Sequence, residues 1–137
     1  MAQLVFTSAS VVINSVDLSD HVKSVTIDLG AKMLDDNAMG DTFESFAAGL
    51  QTAKIDVEFV QDYANAKVDL TLFPLIGAAA FPVVVRPVLG SIKGVNNPDY
   101  TMQAVLSSYA PIAGKHGDLL SSKASFAQAS ALTRVTA

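Results

Sequence analysis

The sequence contains no cysteine, so disulfides, thiolate metal sites and thiol redox chemistry are excluded, and core burial or assembly must supply its stability. Charge is also scarce. Only 16% of the residues are charged while 50% are apolar, against roughly one quarter charged in a typical soluble domain, and a surface so poor in charge is expected to be covered in part by partners. Apolar runs are nevertheless short. The longest, Leu72 to Val85, is broken by Pro74, Gly77 and Pro82, well below the roughly 18 to 20 residues a membrane-spanning helix needs. The first residues, Met1 to Thr7, place no base ahead of their apolar part, so the charged leader of a secretory signal is missing and synthesis in the cytoplasm is expected. There is no cluster of lysine and arginine, and the net charge is -4. Binders of nucleic acid neutralise phosphates with such clusters, so the composition argues against affinity for nucleic acid and any contact with DNA is expected to be repulsive.

What is present is enough for one ordinary domain, residues 1–137, able to bury roughly two thirds of its unfolded surface. Its charge is uneven: residues 1–69 carry 11 acids and 4 bases, residues 70–137 carry 2 acids and 5 bases, which gives two copies complementary regions to meet through. Strict alternation predicts half-buried strands. Val25, Ile27 and Leu29 alternate with Ser24, Thr26 and Asp28, and Ile55, Val57 and Phe59 alternate with Lys54, Asp56 and Glu58. Ser10 to Ser15 is rich in β-branched residues and precedes a turn-forming Asp17 to Asp20, which predicts a β-hairpin closing before Val22. Further strands are expected over Phe81 to Val88, Tyr100 to Tyr109 and Ser121 to Ala129, a total of about six. Between them, Val68, Leu72, Leu75 and Ile76 recur at helical spacing, predicting one helix over about 64–76, shortened or kinked by Pro74. The fold class is mainly β: a sheet of about six strands with one helix and a long inter-strand loop.

That loop, about 30–53, is the most informative segment. Connections above about 12 to 15 residues are uncommon in compact domains and are usually functional or disordered. This one carries Met33, Leu34, Met39, Phe43, Phe46 and Leu50, too many large apolar side chains for a solvated loop and rich in the methionine and aromatics typical of interfaces. It reads as an arm that packs on a neighbour; the alternative is a helical turn at Phe43 to Leu50 covering the chain's own sheet. Asp35, Asn37 and Gly40 match positions of a calcium loop, but Met39 and Phe46 stand where oxygen ligands belong, so no metal is expected there.

No catalytic constellation emerges. Asp56 and Glu58 share one strand face, whereas acid and base roles need environments that push their pKa values apart. His21 and His116 each lack a second ligand nearby and read as surface histidines. Gly90 to Gly94 and Gly114-Lys115 lack the spacing of a phosphate-binding loop, and no Gly-x-Ser-x-Gly elbow is present. No cofactor is implied, and the chain reads as non-enzymatic.

The order of these features, a hairpin over Val11 to Lys23, a long acidic loop, a strand ending Phe59 to Tyr63, one helix, Asn97 to Leu106 and a closing strand Lys123 to Ala127, resembles the major tail tube proteins of siphophages, the long-tailed bacteriophages with non-contractile tails. The resemblance implies a β-sandwich or barrel with one flanking α-helix, six copies closing a ring, an inner sheet lining a channel, and rings stacking through an extended loop. It makes Asp28, Asp56 and Glu58 candidates for the channel wall, and Met33, Asp35, Asp36, Met39, Asp41, Phe43, Glu44, Phe46 and Leu50 candidates for contacts between rings. Six subunits of -4 give a ring of -24, and the implied role is a negatively charged conduit that lets double-stranded DNA pass without adhering. The implied partners are further copies of the chain, the tape measure, tail tip and terminator proteins, and passing DNA, with no membrane. The implied location is the virion tail, assembled in the host cytoplasm. A tail terminator or neck ring protein and a small β-barrel ligand-binding protein are the competing readings; a terminator caps a tube and has no use for an arm that propagates one.

Overall fold

The computed structural model describes residues 9–65, 67–88 and 92–136; Met1 to Thr7, Ala66 of the expected helix, and Gly90 and Ser91 of the stretch Gly90 to Gly94 lie outside the described residues. Eight strands form one antiparallel sheet: β1 Ser10–Ile13, β2 Val16–Asp17, β3 Val22–Asp35, β4 Phe46–Val60, β5 Phe81–Arg86, β6 Asp99–Ala113, β7 Ser121–Gln128 and β8 Thr133–Val135. Their order is β2-β1-β5-β6-β7-β4-β3. The last strand, β8, pairs with the start of β6 (Thr101 with Thr133), continuing along β6 after β7 has ended.

Alternation fixes the faces. Ile55, Val57 and Phe59 are buried and their β7 partners Phe126 and Ala124 are buried with them, because directly opposed residues of an antiparallel pair point to the same side of the sheet. Val11, Ile13, Val83, Val85, Met102 and Ala104 extend this core across β1, β5 and β6, and Phe81 meets Phe126 edge-to-face at 5.8 Å between ring centres. Over this face lies α1, Val68–Leu72, continued by a 3-10 turn at Phe73–Leu75. Val68, Leu72 and Leu75 are buried as their spacing predicts, but Ile76 is exposed. The expected helix over 64–76 is thus five residues plus a tightened turn: the 3-10 geometry advances 120° per residue instead of 100°, and Ile76 is carried off the buried stripe.

Two further expectations are corrected. Ser10 to Ser15 does not pair with the strand beginning at Val22. The chain reverses earlier, at Asn14 and Ser15, whose positive φ values of 49° and 67° are those of a two-residue hairpin turn that favours asparagine. Strand β1 then pairs with the short β2 on one side and with β5 on the other, while residues 19–21 form a 3-10 turn tied back by the Val11 N–H donating to Ser19 Oγ at 2.8 Å. More consequentially, the segment 30–53 is not irregular. β3 and β4 run through most of it as a paired ribbon from Val22–Phe59 to Asp35–Phe46, and only residues 36–45 turn the chain. The helical turn considered at Phe43 to Leu50 is absent, since Phe46 onward is strand. Backbone pairing sustained this ribbon where side-chain alternation had faded from the sequence, and a bulge between Ala31 and Met33 disrupts the period that would have announced it.

Where β5 gives way to β6, Arg86 Nε donates to Asp99 Oδ1 at 2.5 Å and Arg86 Nη2 to Asp99 Oδ2 at 3.0 Å. The planar guanidinium matches the carboxylate at both oxygens, and it joins the two ends of the 87–98 connection.

Truncating a side chain buried in the sheet interface and one projecting from the ribbon should separate folding from everything else. Phe126→Ala is expected to cost about 3–5 kcal/mol in chemical denaturation, and Leu50→Ala less than about 0.5 kcal/mol.

Candidate functional site

The three candidate wall carboxylates do lie on one face. The register pairs Ser24 with Glu58, Thr26 with Asp56 and Asp28 with Lys54, and across the other edge of β4 it pairs Glu58 with Lys123 and Asp56 with Ser125. All therefore project from the side of the sheet opposite the core. Ser125 Oγ donates to Asp56 Oδ1 at 2.6 Å, and a shallow groove of about 260 Å3 runs between these side chains. The face is not uniformly negative. Lys54 Nζ sits 3.6 Å from Asp56 and Lys23 Nζ 3.7 Å from Glu58, with Lys123 beside Glu58 in register. Three acids thus face three lysines. Exposed pairs of this kind contribute under about 1 kcal/mol each to stability, but they cancel most of the field that the net charge of the chain would suggest.

The candidate contact residues lie together as well, on the ribbon. β4 is paired with β7 only from Val60 to Lys54. Beyond that, residues 46–53 keep β3 on one edge, and on the other, among the described residues, only the Ala53 N–H, held by the Gln128 side-chain carbonyl, marks the last tie to the body. Eight residues of strand extend about 26 Å. On β4 the outward face that carries Lys54, Asp56 and Glu58 continues through Thr52 to Leu50, so its chemistry changes from charged to apolar along a single strand. Between the Ala31–Gln51 and Met33–Ala48 pairs β4 carries one residue more than β3, and this bulge places Phe46 and Ala48 with Met33 and Asp35 on the other face of the ribbon. Leu50 is 81% exposed and Phe43 is 85% exposed; Met33, Met39 and Phe46 are also exposed. Large apolar side chains concentrated on a projecting element mark an interaction surface.

The tip is ordered by its own acids. Asp35 Oδ1 accepts the Asn37 N–H at 2.9 Å and Asp41 Oδ2 the Ala38 N–H at 2.7 Å. Asn37 Oδ1 accepts the Ser45 N–H at 2.7 Å, and Ser45 Oγ donates to Asp36. These are the side-chain-to-backbone bonds with which Asp and Asn shape turns, and the carboxylates are directed at the loop's own backbone rather than around a common cation site. Among the described residues no lysine or arginine forms an ion pair with Asp35, Asp36, Asp41 or Glu44.

One cluster escaped the sequence. His21 is largely buried, with Nδ1 2.7 Å from Asp20 Oδ1 and Nε2 2.8 Å from Asp62 Oδ2, and Lys67 Nζ lies 3.7 Å from Asp20. This ties the entry to β3 to the segment joining β4 to α1. Nothing in the sequence relates positions 21 and 62, which are 41 residues apart. Burial opposes charge on the ring, but bonds to the two carboxylates outweigh it and the His21 pKa is raised. The imidazole in turn lowers Asp20, and Asp62 is lowered first by the Ala64 N–H and then by His21. Nearby, burial pushes the Tyr109 hydroxyl up to about 12; it donates to Asp69 at 3.0 Å and accepts from Gln61 Nε2 at 3.1 Å. His116 is exposed in the turn between β6 and β7.

A raised histidine stabilises the fold fully below its unfolded pKa of about 6.5, and that contribution fades as the pH rises through the folded value. The lowered carboxylates add stability that is lost only as the pH falls below about 4. The melting-temperature gap between the native chain and His21→Gln is therefore expected to be widest between about pH 4.5 and 6.5 and to narrow towards pH 8. A gap independent of pH would show that the clamp is not ionic.

No protein-family model matches the chain, and no curated protein does. Solved structures do. A chain from the tail of an empty gene transfer agent particle, refined with C6 helical symmetry, aligns with a TM-score of 0.66 at 18% identity, covering 84% of this chain and 82% of that one. The SPP1 tail tube aligns with a TM-score of 0.74 at 7% identity, covering 98% and 80%. Hcp1 from Flavobacterium johnsoniae aligns with a TM-score of 0.59 at 14% identity, covering 96% and 97%. At such identities the likeness concerns the fold, and the fold of this chain is that of phage tail tube subunits.

Proposed function

We propose that this chain is a structural subunit of a phage tail tube, self-assembling into six-membered rings that stack into a conduit for DNA. The observation that carries the reading is the β3–β4 ribbon. It extends about 26 Å past the last β7 pairing and presents Met33, Phe43, Phe46 and Leu50 to solvent, on a fold shared with subunits of assembled tails. A monomeric carrier or enzyme gains nothing from such a projection, whereas an assembling subunit buries it. The C6 symmetry of the gene transfer agent tail supports rings of six. Tape measure, tail tip and terminator proteins are the partners such a tube requires, and the virion tail is its location.

The polar face bearing Asp28, Asp56 and Glu58 is the proposed channel wall. Its mixed charge favours passage of the duplex in a different way from uniform repulsion: lysines paired to carboxylates are unavailable to phosphates, so no counterion release rewards adhesion.

Replacing residues 32–50 by Asn-Gly, which closes a two-residue hairpin on the Ala31–Gln51 pair, is expected to give a folded monomer by circular dichroism and no tubes by negative-stain microscopy; long tubes from this variant would refute the stacking role. Asp56→Asn with Glu58→Gln strips two negative charges from the wall of each subunit and frees the lysines. Tubes are expected to assemble but to deliver DNA more slowly in an ejection assay, and unchanged kinetics would move the channel wall elsewhere.

A further inference from the structure

We infer that the surface receiving the ribbon is the β6–β7 turn of a second copy in the next ring, centred on Ile112 and Leu119. The inference rests on the tube reading and specifies its stacking contact. Open-ended stacking requires a heterologous contact, in which two different surfaces of one subunit meet on successive copies. A ribbon leaving one end of the body therefore needs its counterpart at the other end.

The register locates that end. β4 pairs with β7 from Lys54–Ala127, where the ribbon departs, to Val60–Ser121 at the far limit. The turn over residues 114–120 lies beyond Ser121, and the Gln61 N–H reaches the Leu120 carbonyl at 3.0 Å, so the turn and the ribbon occupy opposite poles. At this pole Ile112 is 72% exposed and Leu119 is 70% exposed, two large aliphatic side chains flanking Lys115. The ribbon offers the matching chemistry: exposed Met and Phe side chains beside four acids that form no ion pair with a described base.

The receiving surface is also stiff. Gln61 Nε2 donates to the Pro111 carbonyl at 2.7 Å and to the Tyr109 hydroxyl at 3.1 Å, and Ser121 Oγ donates to the Ala113 carbonyl at 2.8 Å. A preorganised surface loses little entropy on docking. Reach is sufficient: the free ribbon, about 26 Å, is longer than the seven-residue stretch of β4 paired with β7, about 23 Å, so a ribbon passing the pole of the next copy runs alongside its body.

The absence of cysteine makes the test clean. Copies carrying a single cysteine on the ribbon, at Met33, Met39, Phe43, Phe46 or Leu50, are mixed with copies carrying one at Ile112 or Leu119, assembled and oxidised. At least one mixture is expected to give a disulfide-linked dimer that neither component gives alone, since the bond forms only when Cα atoms approach within about 7 Å. In parallel, Leu119→Asp is expected to leave the circular dichroism and melting of the monomer unchanged and to abolish tubes. Tubes that form in every mixture without cross-linking to either position, or that cross-link instead to a cysteine at Phe73 on the helical side of the body, would overturn this contact while leaving the tube reading intact. Failure of the unmodified chain to form tubes at all would overturn the reading, and the contact with it.

Discussion

β4 is shared by everything this molecule is proposed to do, and antiparallel pairing is the constraint that makes this possible. Over Lys54–Val60 it is held on both edges, by β3 and by β7, so its side chains alternate between a buried face of Ile55, Val57 and Phe59 and a solvated face of Lys54, Asp56 and Glu58. Over Phe46–Ala53 one partner is gone but the pairing with β3 persists. The strand therefore leaves the body still paired, and the two proposed surfaces, wall and arm, are fixed relative to each other by the β3–β4 ladder and the single bulge within the ribbon. A flexible linker between them would leave that relation undefined, and a ring built from such subunits would have no fixed rise.

The sequence was legible where one face was buried. Val25 and Ile27, Ile55 to Phe59, and Phe81 to Val85 display the period of two because burial selects apolar residues at every second position, and the assigned strands follow them. Val68, Leu72 and Leu75 were legible for the same reason at helical spacing. Legibility failed where selection by the chain's own core ceased. In Gly30 to Ala53 both faces are exposed in a single copy, the bulge at residues 31–33 shifts the phase, and apolar and small residues stand where polar ones would mark a solvated side, so a ribbon read as a loop. The residues were rightly singled out by composition while their backbone was not. The two-residue β2 and three-residue β8 are too short to carry a period at all.

The candidate site divides along similar lines. That Asp28, Asp56 and Glu58 share a face followed from alternation together with pairing of the two strands. That Lys23 and Lys123 join Lys54 there did not, because Lys23 arrives through a register shift at residues 22–24 and Lys123 through the non-local partner β7. The clamp of His21 between Asp20 and Asp62 is a product of tertiary structure alone. It fastens the start of β3 to the segment following β4, the two termini of the ribbon-forming pair, and so anchors the root of the arm at the end opposite its tip.

The same ribbon poses a hazard before any ring exists. β3 is an edge strand of the sheet, and Phe46–Leu50 opens the other side of the ribbon as well, with apolar side chains, the combination by which sheets recruit stray strands and aggregate. The bulge and the acids of the tip act here as gatekeepers: four carboxylates within residues 35–44 make the tips of free subunits repel one another, and that repulsion is screened beyond about 10 Å at an ionic strength near 0.1 M. Solubility of the unassembled chain is thereby tied to the salt around it, so that dilute electrolyte stores subunits and concentrated electrolyte lowers the barrier to their first encounter.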